Sequence, residues 1–272
     1  WALSSFSNII LFAILFAAIY AMHRRNKTKK RREVGYRTVE SKKADALKSD
    51  NKIKVVVTGG SGNLGKEIVR CLIEEENYLI YSLDLFIPDE DCRNDNVYSY
   101  IQADILDKDS LRLALKDAEV VFHSAGIIPT FVGYSTQDFL SVNGTGTENV
   151  VSACKELGVK RLIYTSSIAT LLSSDPSQVI EKLNDCTPYP KQNRDAYGTS
   201  KVIAEKCVLS ANGDEFLTCC LRPHRIVDSK VIAAENTRYV DDGSYYNQLI
   251  PLDTTARIHV LAEKKLRSEG KA

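Results

Sequence analysis

Tyr197 and Lys201 lie four residues apart in DAYGTSKVIAEKCVL, a stretch that reads as a helix. At that spacing both side chains project from one face. A free phenol has a pKa of about 10 and is a poor base near neutrality. A neighbouring ammonium would stabilise the phenolate and allow it to take a proton. Ser166 and Ser167 end an apolar run, Arg161 to Thr165, that reads as a strand, and either could hold a hydroxyl while Tyr197 removes its proton. A Y-x-x-x-K pair is common on exposed helices, so its meaning depends on what the chain places around it.

The element that would position it begins at KIKVVVTGGSGNLG, residues 52–65. The β-branched run Ile53, Val55, Val56, Val57 predicts a buried parallel strand. It leads into Gly59, Gly62 and Gly65, a G-x-x-G-x-x-G spacing one residue wider than the common dinucleotide fingerprint. Glycine at these positions permits a tight turn, close approach of a pyrophosphate and close packing of helix on strand. The following helix, from Leu64 to about Glu75, would aim its first N–H groups, around Asn63, Leu64 and Gly65, at that phosphate. A second strand, Tyr78 to Leu83, ends at Asp84, 19 residues past Gly65. A carboxylate there would accept from the adenosine ribose hydroxyls and repel a 2′-phosphate, which favours NAD over NADP. With NAD bound, the positive nicotinamide would add to the stabilisation of the phenolate, and Lys201 could also bond the nicotinamide ribose.

Further strands are expected at Val97 to Gln102, Glu119 to His123, Arg161 to Thr165 and Leu217 to Leu221. Asp104 follows the first of these and could bond the adenine amino group or cap the helix beginning near Ser110. Ala125 and Gly126 are small where backbone would pass close to the cofactor. His123, alone at a strand end, reads as structural. Ser135 to Leu157 has helical spacing with Asn143 inside it, and Gly144 and Gly146 either weaken it or permit close packing. Alternating strands and helices over 52–222 imply an α/β fold of Rossmann type, a doubly wound parallel sheet. Ligands collect at the carboxyl ends of such strands, where Gly62, Asp84, Gly126, Ser167 and Pro223 all fall.

The chain has 272 residues, 44% hydrophobic and 26% charged, with a net charge of +1, so no global field points to nucleic acid. Seven cysteines without metal-ligand spacing read as reduced thiols, and no metal site is expected. Phe6 to Met22 is apolar and is followed by a dense basic block from Arg24 to Arg32. That order predicts an N-terminal transmembrane anchor over 1–23, a basic juxtamembrane linker over 24–51 and a cytosolic catalytic domain. The NAD-binding domain is expected over 52–227 and a partial substrate-side region, with a helix from Ala256 to Arg267, over 228–272.

Taken in order, TGGSGNLG at 58–65, Asp84, Asp104, FHSAG at 122–126, VNGTGTENV at 142–150, YTSS at 164–167, YGTSK at 197–201 and LRPH at 221–224 resemble an extended short-chain dehydrogenase/reductase. More narrowly they resemble the 3β-hydroxysteroid dehydrogenase family, including its sterol-4α-carboxylate 3-dehydrogenase branch. The resemblance implies NAD as cofactor, Tyr197 as proton acceptor, Lys201 as its partner and Ser167 rather than Ser166 as the substrate-positioning hydroxyl. It implies oxidation of a 3β-hydroxysteroid or sterol to the 3-ketone, with decarboxylation following where a 4α-carboxylate is present. It also implies an endoplasmic reticulum membrane and a homodimer through the helices carrying Asn143 and Tyr197. The alternatives are a truncated, catalytically weak NAD-binding isoform and another extended dehydrogenase, such as a nucleotide-sugar epimerase. Departures from the family are the absence of Gly-Pro after LRPH, where RIVDSK stands, a poor match over 229–266, and the loss of the family's C-terminal substrate region beyond Ala272. The substrate-binding region is therefore expected to be incomplete.

Overall fold

The computed structural model describes residues 34–48, 51–129, 133–175, 177–178, 184–228 and 249–270. The expected anchor, Phe6 to Met22, lies outside them. No helix of the described residues is long and apolar enough to cross a membrane.

Six parallel strands form the sheet: β2 (Ile53–Thr58), β3 (Tyr78–Asp84), β4 (Ser99–Gln102), β5 (Val120–His123), β6 (Arg161–Thr165) and β7 (Leu217–Leu221). A seventh, β1 (Arg37–Glu40), precedes them in sequence. The spatial order is β1-β4-β3-β2-β5-β6-β7. β2 is paired on one side with β3 and on the other with β5, so the winding reverses direction between β2 and β5. That is the topological switch point where an open α/β sheet leaves a crevice.

Burial explains why these runs are strands. Val55, Val56 and Val57 are all fully buried, because both faces of β2 are covered. Val56 packs with Leu83, Val121 and Leu162 in one core, and Val55 and Val57 pack with Ile80, Phe122 and Ile163 in the other. Each contributes about 1.5 kcal/mol of apolar burial. The first core is closed by α3 (Lys108–Leu115), α5 (Gly146–Glu156) and α6 (Ala196–Ser210), and the second by α2 (Asn63–Glu74) and α7 (Leu252–Glu269).

Two sequence expectations change here. Residues 24–51 are not all linker: β1 pairs antiparallel with β4, from Arg37 opposite Gln102 to Glu40 opposite Ser99, and a short helix, α1 (Ala44–Leu47), follows. β1 carries no apolar run, because as an edge strand it is held by backbone pairing. The helix expected from Ala256 to Arg267 does form, as α7, but it docks on α2 and β6 as part of the sheet's helical layer rather than on a substrate side. Its buried Glu263 bonds Tyr78 Oη and accepts from Arg161 Nε at 3.0 Å. β8 (Arg225–Val227) and β9 (Leu249–Pro251) make a separate two-stranded parallel pair.

The helical run from Ser135 to Leu157 is interrupted. α4 (Thr136–Phe139) begins with a capping box between Ser135 and Asp138 and passes into a π-helical turn, Leu140–Thr145, before α5. A Cβ on Gly146 would lie 2.6 Å from Ile105 Cδ1, so this glycine does permit close packing.

Candidate active site

The turn after β2 is shaped by its own backbone. Gly59 has φ +73°, and a Cβ on it would meet Ala125 N at 2.7 Å. A Cβ on Gly65 would lie 2.7 Å from the Gly59 carbonyl carbon. Gly60, which the sequence pattern does not single out, has Ser82 Oγ in the same forbidden space. Gly62 differs in degree: the nearest atom to a Cβ there is Gly59 O at 3.2 Å, a tight contact that a shift of a few tenths of an ångström would relieve. Gly62 is the N-cap of α2, makes no side-chain cap and lines a cavity of about 460 Å³. A helix N-terminus opening uncapped onto a cavity is suited to an anion.

The cavity also meets Asp84, Asp104, Ala125 and Gly126, and so lies at the switch point. Asp84 accepts from Ser61 N at 3.0 Å and Leu85 N at 2.7 Å, which ties the end of β3 to the glycine turn. Burial pushes its carboxyl up, opposed by N–H donation from Ser61, Leu85 and Phe86. Asp104 does not cap the next helix. That cap is Asp107, whose side chain accepts from Asp109 N and Ser110 N, while Asp104 accepts from Leu106 N at 3.0 Å and remains on the cavity wall. The donor set suits a dinucleotide: N–H groups for a pyrophosphate, a carboxylate for ribose hydroxyls and small residues along the base of the cleft. The cavity reaches Gly126, and a Cβ placed there would stand 3.7 Å from Lys201 Nζ. The two halves of the site meet at that point.

α6 starts where its position can serve chemistry. Asp195 caps it by accepting from Gly198 N at 2.7 Å. A Cβ on Gly198 would lie 2.7 Å from Ala169 O, so the glycine lets the helix start against the turn that follows β6. Asn193 Nδ2 donates to Thr170 O at 3.0 Å across the same seam. Tyr197 is thereby set beside the Ser167 hydroxyl, and its ring meets Phe139 edge-on at 5.8 Å between centroids. Ser166 turns away: its hydroxyl donates to Glu205. The structure thus separates the two serines and places Ser167 beside Tyr197. Pro223, after β7, accepts from Ile168 N at 3.1 Å and so abuts the Ser167 turn.

Lys201 is buried and donates to Thr165 O at 2.8 Å and Tyr164 Oη at 3.2 Å. Burial brings its pKa down to about 8. Burial pushes the Tyr197 phenol above its ordinary value, and the Ser167 hydroxyl pulls it down. The Lys201 ammonium donates to the end of β6.

Several residues of this neighbourhood carry no local signature in the sequence. Asn143, in the π turn, accepts from Ile127 N at 2.8 Å and donates to Ile127 O and Ser200 Oγ, fixing the segment beyond Gly126. His123 is fully buried between Thr58 Oγ1 (2.7 Å) and Thr147 Oγ1 (3.0 Å), and burial holds its pKa down at about 3. His259, on α7, bonds Thr165 Oγ1 at 2.8 Å and Thr255 O at 2.8 Å. A carbonyl only accepts, so Nδ1 carries the proton and Nε2 accepts from Thr165. Glu205 does have a readable signal, since it continues the stripe Tyr197, Lys201 at the next i+4 position.

Residues 56–272 match the model of the 3-beta hydroxysteroid dehydrogenase/isomerase family. The 3beta-hydroxysteroid-dehydrogenase/decarboxylase isoform 2 of Arabidopsis thaliana is 34% identical over 239 residues, which are 79% of this chain and 42% of that protein. The 3 beta-hydroxysteroid dehydrogenase/Delta 5-->4-isomerase of Vaccinia virus (strain Copenhagen) is 33% identical over 236 residues, 79% of this chain and 67% of that protein. The chain spans about half the length of the two Arabidopsis relatives. Among solved structures, MoeE5 in complex with UDP-glucuronic acid and NAD superposes with a TM-score of 0.61 at 23% identity, covering 77% of this chain and 72% of that one. At that identity the likeness shows the fold. The chain belongs to the 3-beta hydroxysteroid dehydrogenase/isomerase family.

Proposed function

We propose that this chain carries the NAD-binding and proton-transfer half of a dehydrogenase that oxidises the 3β-hydroxyl of a steroid or sterol to a ketone. The observation that carries the reading is the placement of Ser167 and Tyr197 side by side, next to the buried Lys201 and at the end of a nucleotide-sized cleft. When bound, NAD would accept the hydride and bring positive charge next to the phenol. Gly62 and the first N–H groups of α2 would hold its pyrophosphate, and Asp84 its ribose hydroxyls, which favours NAD over NADP. Ser167 would bond the substrate hydroxyl, and Tyr197 would take its proton. Lys201, fixed by Thr165 and Tyr164, would donate to the nicotinamide ribose. The names of the Arabidopsis relatives support a 4-carboxylated sterol as one substrate. A 3-keto-4-carboxylate is a β-keto acid and loses carbon dioxide through its enolate without a further catalytic group. The apolar segment Phe6 to Met22 and the basic block after it support a site held at the cytosolic face of a membrane, where sterols partition.

The test is NADH formation at 340 nm with NAD or NADP and 3β-hydroxysterols with and without a 4-carboxylate. Turnover with NAD that falls about a thousandfold in Tyr197→Phe supports the reading, in line with the 10²–10⁴ typical of a lost proton acceptor. Turnover unchanged by Tyr197→Phe would overturn it. Phenol absorbance at 295 nm, taken as the difference from Tyr197→Phe, is expected to titrate at lower pH when NAD is added.

A further inference from the structure

The buried carboxylate of Glu205 is not used by the proposed chemistry, yet it sits one helical turn from Lys201 on the same face of α6. It is fully buried. It accepts from Tyr189 Oη at 2.7 Å, from Arg222 Nε at 2.9 Å and from Ser166 Oγ. These partners come from the loop before α6, the end of β7 and the end of β6. A carboxylate is rarely buried unless its lone pairs are filled, and here three elements fill them.

The groups around Lys201 are Tyr164 and the Thr165 carbonyl on β6, Cys220 on β7, His123 on β5 and Glu205 one turn on along α6, with Tyr197 one turn before it on the same helix. Burial pushes the Tyr164 phenol and the Cys220 thiol up, so both are neutral near pH 7, and it holds His123 neutral as well. Glu205 bonds Ser166, Tyr189 and Arg222, its carbonyl meets Cys220 Sγ at 4.0 Å, and it lies one helical turn from Lys201. Among the described groups around Lys201, Glu205 is the one that brings a formal negative charge into the buried region, and it shares that charge with Arg222.

We infer that Glu205 is a positioning residue of the site: it is the counter-charge that keeps Lys201 an ammonium inside the protein, and Arg222 sets how much of that charge Lys201 receives. The inference rests on the proposed roles of Tyr197 and Lys201, but its test needs no turnover. Removing the carboxylate leaves Arg222 without its anion and takes a negative charge from the buried neighbourhood of Lys201, so Lys201 must lose its proton more easily. Removing the guanidinium frees the whole carboxylate charge, so Lys201 must hold its proton more tightly. The signs are opposite, whereas loosened packing would move both variants the same way.

The chain is labelled with lysine carrying ¹³C at Cε, and its methylene resonances are followed by NMR as a function of pH. The Lys201 signal is assigned by its loss in Lys201→Arg. The midpoint is expected to fall by about one pH unit in Glu205→Gln, a tenfold loss of proton affinity, and to rise in Arg222→Gln. If Glu205→Gln fails to fold, as judged by circular dichroism, the rise in Arg222→Gln decides alone. Midpoints within 0.3 of the wild type, roughly the resolution of such a titration, or shifts of one sign in both variants, would overturn the inference. The reading of the chain as a dehydrogenase stands or falls separately, on NADH formation.

Discussion

At the scale of single residues, the glycine turn separates two demands that a sequence pattern merges. Gly59, Gly60 and Gly65 are required by the protein's own backbone and side chains. Gly62 meets a single, milder contact, Gly59 O at 3.2 Å, and faces the cavity. Gly65→Ala is therefore expected to cost about 2–3 kcal/mol in urea unfolding, through overpacking against the Gly59 peptide. Gly62→Ala is expected to change stability by less than about 1 kcal/mol but to weaken NAD binding at least roughly tenfold by calorimetry. Equal effects of both substitutions on stability would contradict this division. Tyr197 presents a similar contrast. Its partner Ser167 was legible in the sequence as one of two adjacent serines, but the phenol's environment was not, because desolvation by Phe139 and the direction of Lys201 are tertiary facts.

At the scale of elements, α7 shows what docking a distant helix does. Glu263 brings together Tyr78 on β3, Arg161 on β6 and Arg267 on α7 itself. His259, one turn earlier, bonds Thr165, whose carbonyl receives Lys201. Glu263→Gln leaves the partly buried Arg161 guanidinium without its anion and is expected to cost about 3 kcal/mol. Amide exchange in α7 should accelerate more than exchange in α3, which packs on the other face of the sheet. Uniform acceleration, or none, would mean that Glu263 does not anchor the helix. Sequence reading expected a helix from Ala256 to Arg267 within a substrate-side region, and its docking on α2 and β6 is a tertiary fact that the local sequence does not carry. β1 was read as linker for the complementary reason: an edge strand held by backbone bonds needs no apolar alternation. The six central strands were legible as short apolar runs, four of which end at or just before glycine, aspartate or serine.

At the scale of the whole molecule, the two buried histidines set a limit on acid stability. Burial holds His123 at about 3 and His259 at about 4, against an ordinary value of 6.5. The unfolded chain takes up protons as pH falls below about 6.5, and the folded chain does not until near 4. Their contribution is thus fully present above pH 6.5 and is lost as pH falls toward the folded values. Each histidine removes about 1.4 kcal/mol per pH unit once well below 6.5. Between pH 6.5 and 5 the pair should lower the unfolding free energy by about 3 kcal/mol. His259→Gln, which can still donate and accept, should remove about half of that slope, and a slope unaltered by the substitution would count against the assignment. The edge strand has a mechanical consequence as well. A pull on the chain from its amino-terminal side first meets the antiparallel β1–β4 hydrogen bonds, thirteen residues before β2 begins at Ile53. β1 therefore acts as a strain relief: the tension ends in the sheet's outer seam, and the glycine turn after Thr58 carries no load.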